Sequence, residues 1–434
     1  MKTALALSPL VALGLSVGAL AAEVERAPAA PVAVAAVGAP VDPAAALTAA
    51  ALAGPRLAAP AALAAELDRI AAERGVLGYS IVGVRDGQAA VAHSAGTAVV
   101  ATGRPVTSDT AFRMASVSKV AAAVALMQQW EEGKFGLDED ISDVLKFRVR
   151  NPRHPDAPVT YRQLLAHTSG LKDDAAYFRF LGRTFSGAPP AIASLKTSFH
   201  AAEPGRKYRY SNLGYGLIGT LVEKHGGERF GDYVRRRIFE PLGMRASFTA
   251  ADLPGIRRLA ALYRFESGAW KAQADDFRGR RPVSLVPDDY EPGHNGVVYA
   301  PHGGMRVSAL DLSRFLGALQ SGGALDGARI LRAGTVSLMA ETQKVVKLTK
   351  DELYAVGLGL HLVSPYAQDS GLWVGHSGDA SGLHSDMYFE DGGRHGVVLA
   401  VNGVEPAKPG QPPMAFREQL SGAVLRHLRG ETPR

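Results

Sequence analysis

The chain has 434 residues, 47% of them hydrophobic and 21% charged, with 48 Gly and 26 Pro; this balance excludes collagen, coiled coil and wholesale disorder and leaves ample material for a core. A net charge of +6 is mild for the length, and the short basic runs at Arg235–Arg237 and Arg278–Arg281 lack interleaved aromatic residues, so nucleic acid is not an expected partner. Cysteine is absent, which removes disulfides, thiol nucleophiles, thiolate zinc sites and a lipidated N-terminal Cys.

In chain order, Lys2 is followed by the uncharged stretch Thr3–Ala22, which closes on the small-x-small triplet Ala19-Leu20-Ala21. This predicts a cleaved signal peptide over residues 1–22, export to the periplasm or medium, and no stable membrane insertion afterwards; the alternative is an uncleaved membrane anchor, since about 20 apolar residues can just span a bilayer. Residues 23–63 read as an Ala/Pro-rich disordered tether, because between Ala27 and Leu63 only Asp42 and Arg56 are charged and few large side chains are present to repay ordering. A folded domain is expected over 64–430. Leu63, Leu67, Ile70 and Ala71 open it at helical spacing, and Gly78–Arg85 and Gln88–His93 form a hairpin about Asp86-Gly87.

A helix is predicted over Ala115–Trp130, with Val120, Val124 and Met127 on one face and Gly133 as its stop. Thr160–Ala166, Leu213–Lys224 and Ala309–Gln320 are also predicted helical, the last with Ser308 and Asp311 as a capping box. The last third turns to strands at Leu353–Val363, Leu372–Gly375, His384–Glu390 and His395–Val401, and a helix over Met414–Leu428 closes the chain. Strands at both ends with helices between them imply an α/β fold with one mixed sheet built from the two termini and a helical insertion.

Three motifs can carry chemistry. Ser116-Val117-Ser118-Lys119 opens the Ala115 helix, so Lys119 shares a face with Ser116 and the helix N-terminus favours negative charge developing there. A lysine becomes a base only when burial or a neighbouring cation lowers its pKa. The second Ser-x-x-Lys match, Ser169-Gly170-Leu171-Lys172, runs into Asp173-Asp174 and reads as a loop, where the spacing does not bring lysine to serine. Gly14-Leu15-Ser16-Val17-Gly18 fits a nucleophile elbow but lies in the signal peptide. Tyr210-Ser211-Asn212 precedes the Leu213 helix; it can face a phenol and an amide into one cavity, or equally supply a turn Tyr and a capping Asn. Gly375-His376-Ser377-Gly378 ends the Leu372 strand, where flanking glycines let a ligand approach the backbone; read alone it is also an ordinary surface turn.

Ser-x-x-Lys, Tyr-x-Asn and a basic-residue-Ser-Gly triad in this order resemble the active site of the penicillin-recognising serine hydrolases, the group of class C β-lactamases, D-Ala-D-Ala carboxypeptidases, D-aminopeptidases and β-lactamase-like esterases. Phe112–Ser116, Leu164–Leu171, Glu240–Met244 and Gly303-Gly304 match it as well, so the resemblance spans about Ala64 to Leu428. It implies a β-lactamase/transpeptidase-like fold, with an antiparallel sheet flanked by helices and an all-α part at about 115–290. It further implies Ser116 as nucleophile, Lys119 as base, Tyr210 as partner in proton transfer and Asn212 as a substrate-positioning amide. His376, Ser377 and Gly378 would contact the substrate, and the backbone N–H groups of Ser116 and Asp379 would form the oxyanion hole. The family's lactamases and carboxypeptidases usually carry Lys where this chain has His376, and a mostly neutral imidazole favours the esterase and aminopeptidase branch. The expected activity is therefore an acyl-enzyme serine hydrolase of small esters or of amide and peptide bonds. A true β-lactamase, a D-Ala-D-Ala carboxypeptidase and a non-catalytic peptidoglycan binder are the alternatives. No cofactor or metal is expected: none of the 12 His forms His-Glu-x-x-His.

Overall fold

The computed structural model describes residues 57–349, 352–364, 366–367, 371–407 and 414–431. The predicted signal peptide and residues 23–56 of the predicted tether lie outside the described residues. Within the described residues, Ala59 N–H donates to the Ala92 carbonyl, and the first helix, α1, runs Ala61–Glu73 behind Pro60, so it starts slightly before Ala64.

The sheet strands are β1 (Val76–Arg85), β2 (Gln88–Val99), β3 (Arg104–Pro105), β4 (Lys344–Leu348), β5 (Leu353–Val356), β6 (His361–Ser364), β7 (Trp373–Ala380), β8 (Leu383–Glu390) and β9 (His395–Val404). They form one nine-stranded sheet in the order β4-β5-β6-β7-β8-β9-β1-β2-β3. Every pairing is antiparallel, so the sheet is not mixed in direction. Strands from the two ends of the folded region meet inside the sheet, where β9 lies beside β1 with Ile81 opposite Leu399. The predicted strand Leu353–Val363 is two strands, because Gly357 crowds the Met339 carbonyl and Gly359 turns the chain at φ +81.

Alternation along the strands divides two cores. Tyr79, Ile81, Val397, Leu399 and Val401 face α1 and the C-terminal helix α5 (Ala415–Arg429), whose Leu420, Val424 and Leu425 cover them. Val82, Val84, Val398 and Ala400 face the opposite way, onto α4 (Ala309–Gln320) and the inserted region. In that region α2 (Ser118–Glu131) is buried on nearly every side. Ala121, Ala122, Ala123 and Ala125 keep it slim where it passes α3 (Asn212–Gly226), whose Gly216 and Gly219 let Val297, Gly296 and Pro301 approach on another side. The insertion is mostly helical but also holds the hairpin Leu262–Glu266/Ala269–Ala274, tied to β9 by Asn402. No helix among the described residues is long and apolar enough to cross a membrane.

Candidate active site

The Ser116 segment is fixed from both sides. Ala111–Arg113 pairs with Arg306–Ser308, and Met114 N–H donates to the Met305 carbonyl at 2.8 Å. Ala115 then adopts φ +45, a left-handed conformation that costs a non-glycine residue energy and persists only where surroundings dictate it. A single 3-10 turn over Ala115–Val117 leads into α2, so Ser116 stands one turn ahead of the α-helix proper. Lys119 nevertheless reaches back: its Nζ lies 3.1 Å from Ser116 Oγ, 2.8 Å from Asn212 Oδ1 and 2.6 Å from the His302 carbonyl oxygen. The side chain is wholly buried. Burial strips its hydration and brings its pKa from 10.5 down to about 7, against a weaker upward pull from Asp173.

Tyr210 and Asn212 are set by the start of α3. Ser211 caps the helix by accepting from Gly214 N–H, and the Asp173 carboxylate accepts from Ser211 Oγ (3.0 Å), Asn212 N–H (2.7 Å) and Leu213 N–H (3.0 Å). Tyr210 donates to Ser116 Oγ at 2.8 Å. Its ring stacks on His167 with centroids 4.4 Å apart, and His167 Nδ1 accepts from Ser211 N–H at 3.1 Å. Desolvation raises the Tyr210 phenol well above its ordinary pKa, so it stays protonated at neutral pH.

The third wall is the end of β7. β6 pairs with it only as far as Gly375, opposite His361, so His376–Ala380 are paired on the β8 side alone. Gly378 lies hard against the Ser116 turn: a Cβ there would sit 2.6 Å from the Met114 carbonyl oxygen and 2.9 Å from Ser116 N, so no side chain fits. His376 is buried near Tyr210, with ring centroids 6.4 Å apart. Ser377 points through the opposite face of the sheet, where its hydroxyl donates to Asp386 at 2.7 Å and lies 3.0 Å from Tyr388 OH. The carboxylates of Asp379 and Asp386 are clamped by Arg417 of α5.

The structure thus brings Ser116, Lys119, Tyr210, Asn212, His376 and Gly378 together, and directs the side chains of Ser377 and Asp379 away. Ser169 is buried in the loop after Tyr161–Leu165; its Oγ accepts from Leu171 N–H at 3.4 Å, and no lysine contact to it is found among the described residues. Asp173, His167 as a ring support, the His302 carbonyl and His361 take part without having been singled out. Asp173 had a signal, an acidic pair just beyond a family-like loop, whereas a backbone carbonyl leaves none in sequence. Among the described residues no group of three or more His, Cys, Asp or Glu is placed to hold a metal ion.

The model of the Beta-lactamase family matches residues 62–418. The chain belongs to the beta-lactamase family. Among curated relatives in it, the match to penicillin-binding protein 4 of Amycolatopsis lactamdurans is 29% identical over 70% of this chain and 74% of the relative. Esterase EstB of Burkholderia gladioli is 32% identical over 44% of this chain and 53% of EstB. A D-aminopeptidase of Brucella anthropi is 31% identical over 39% of this chain and 32% of that protein. In three dimensions, the D-amino acid amidase of Ochrobactrum anthropi SV3 superposes with a TM-score of 0.63 at 26% identity, over 85% of this chain and 98% of the amidase. A Pyrococcus abyssi penicillin-binding protein homologue gives 0.65 at 24% identity, over 86% of this chain and 78% of that one, a likeness of fold alone. As a member of the beta-lactamase family with this fold, the protein is a serine hydrolase.

Proposed function

We propose that the chain is an exported hydrolase that forms an acyl-enzyme on Ser116 and acts on small esters or on amide and peptide bonds. The observation that carries this reading is the contact set at Ser116 Oγ, with buried Lys119 on one side and Tyr210 on the other. As a neutral amine Lys119 has two N–H bonds and one lone pair. Asn212 Oδ1 and the His302 carbonyl are pure acceptors and take the two hydrogens, which leaves the lone pair for the Ser116 hydroxyl. The serine oxygen then attacks the substrate carbonyl carbon while its proton moves to Lys119. The oxyanion settles between the N–H groups of Ser116 and Asp379, donors that typically lower such a barrier by about 3 kcal/mol each. Because the phenol is protonated, Tyr210 serves as donor: it passes a proton to the departing alkoxide or amine and is re-protonated by Lys119. Water repeats the sequence on the ester, and Ser116 is regenerated with its proton.

His376 favours esters and amides over penicillins. Its ring is kept neutral by burial, then by neighbouring His361 and Lys119, so it offers a substrate carboxylate no charge. A non-catalytic binding role has nothing to recommend it while Ser116 and Lys119 meet in working geometry. The test is intact mass after exposure to a p-nitrophenyl ester, a penicillin and a D-Ala-terminated peptide. An acyl adduct that disappears in Ser116→Ala and persists in Ser169→Ala supports the reading; an adduct on Ser169, or none with any substrate or with a fluorophosphonate, refutes it. Export rests on the Lys2-led apolar segment, and N-terminal sequencing of the exported protein should begin near Ala22 or Glu23.

A further inference from the structure

Beneath the cleft lies a stack of buried rings that the acyl-transfer chemistry does not use. His361 on β6 stacks on His376 with centroids 3.9 Å apart and planes 27° apart. Its Nε2 lies 3.3 Å from Tyr354 OH, and Tyr354 OH lies 3.1 Å from Tyr208 OH, so the ring is anchored from behind. His376 Nδ1 lies 2.6 Å from the Ser377 carbonyl oxygen. A carbonyl only accepts, so Nδ1 carries the proton and Nε2 of the neutral ring presents a lone pair. That Nε2 is buried and has no hydrogen-bond partner among the described residues. A buried polar atom left unpaired costs free energy unless something that arrives later completes it.

We propose that His361 is a positioning residue that holds His376 as the Nδ1–H tautomer, so that the third wall of the cleft offers an acceptor to a hydrogen-bond donor on the substrate and not a donor or a cation to an anion. The inference rests on the cleft being the substrate site. Two observations support it independently of each other. The stacked ring fixes the plane of His376, while the Ser377 carbonyl fixes its rotation. The groups around His376 also oppose a second proton: Lys119 comes from α2, His361 from β6 and His167 from the loop after Tyr161–Leu165. Tyr210 faces it from the segment before α3, and the Asp173 carboxylate is committed to Ser211, Asn212 and Leu213. Arg417, Asp386 and Tyr388 gather behind the strand around Ser377, on the other face of the sheet.

The test uses the full chain with isotope-labelled imidazole nitrogens, the His376 signal being assigned by its loss in His376→Gln. In the wild type, NMR should show one fixed Nδ1–H tautomer that does not titrate between about pH 5.5 and 8.5, the range in which an ordinary histidine does. His361→Ala should average the two tautomers or bring the ring into titration, whereas His361→Phe, which keeps a flat ring in the stack, should preserve the signal. Kinetically, His361→Ala should lower kcat/KM for an α-amino or α-hydroxy ester relative to the unsubstituted ester by about five- to tenfold, the worth of one neutral hydrogen bond. A wild-type His376 that is Nε2–H or titrates, or a His361→Ala protein with the tautomer and the substrate ratio both unchanged, overturns the proposal. If His361→Ala does not fold, the wild-type spectrum and the His361→Phe ratio decide it. Absence of a Ser116 adduct would refute the acyl-enzyme and leave the tautomer result standing, so the two failures are distinguishable.

Discussion

Ser116 and Ser169 precede a lysine at the same spacing, and what separates them is where the lysine amine is dried out. Lys119 is wholly buried with its pKa brought to about 7, so it exchanges its proton near neutrality. If it is the base, kcat/KM should climb about tenfold per pH unit on the acid side and level off above about pH 7. Lys119→Arg, which cannot become neutral, should lose several orders of magnitude in kcat. The same shift acts on stability. The folded pKa lies below the ordinary 10.5, so between about 7 and 10.5 the folded state binds fewer protons than the unfolded one, and stability rises with pH across that window. Urea unfolding of wild type at about pH 6.5 and pH 9.5 should show this gain, and Lys119→Met should flatten it. A flat pH–rate profile across neutrality with wild-type Lys119 would remove it from the role of base.

Between elements, one loop carboxylate sets up the cleft. Asp173 holds three donors at the start of α3, and that start places Asn212 against Lys119 and Tyr210 against Ser116. Losing a cap of this kind typically costs about 1–2 kcal/mol, and a buried donor left unpaired adds to it. Asp173→Ala should therefore lower the unfolding free energy by about 2 kcal/mol and kcat by at least tenfold. Asp173→Asn, which still accepts but loses charge, should fall between. Chemical denaturation and steady-state kinetics on a p-nitrophenyl ester read the two effects separately. Full activity in Asp173→Ala would show that α3 positions Tyr210 and Asn212 without it.

For the molecule as a whole, the C-terminal helix reaches through the sheet to the cleft edge. Arg417 donates to the carboxylates of Asp379 and Asp386 and, at 2.8 Å, to the Ser385 carbonyl, and Ser385 Oγ in turn donates to the Met114 carbonyl at 2.9 Å, next to the Ser116 turn. Burial pushes Asp379 up, but Arg417 and His384 outweigh it and hold its carboxyl below the usual range. Removing one partner of such a buried cluster is expected to cost about 3–5 kcal/mol, because the remaining charges stay buried. Arg417→Met should lower the thermal midpoint by several degrees, and adding Asp386→Asn should recover part of it. An unshifted midpoint in Arg417→Met would mean that α5 docks on apolar contacts alone.

The sequence by itself determined the elements and the residue types of the cleft. Period-two and helical spacing located the Asp86-Gly87 hairpin, the α4 cap, the C-terminal helix and the last strands to within a few residues, since these depend on neighbours along the chain. The order of Ser116, Tyr210 and His376 with their spaced partners pointed to one family and one cleft. Tertiary structure decided the rest. Local pattern gives no partner strands, so the antiparallel sheet was expected from the family resemblance alone, and its strand order and the split at Gly357–Leu360 became visible only in the sheet. The lowered pKa of Lys119, the sharing of its hydrogens with Asn212 and the His302 carbonyl, and the stack of His361 on His376 arise from burial and contact between segments far apart in the chain. The outward turn of Ser377 follows from strand alternation once β7 is placed between its neighbours: adjacent residues face opposite sides, and only the folded sheet says which side is the cleft.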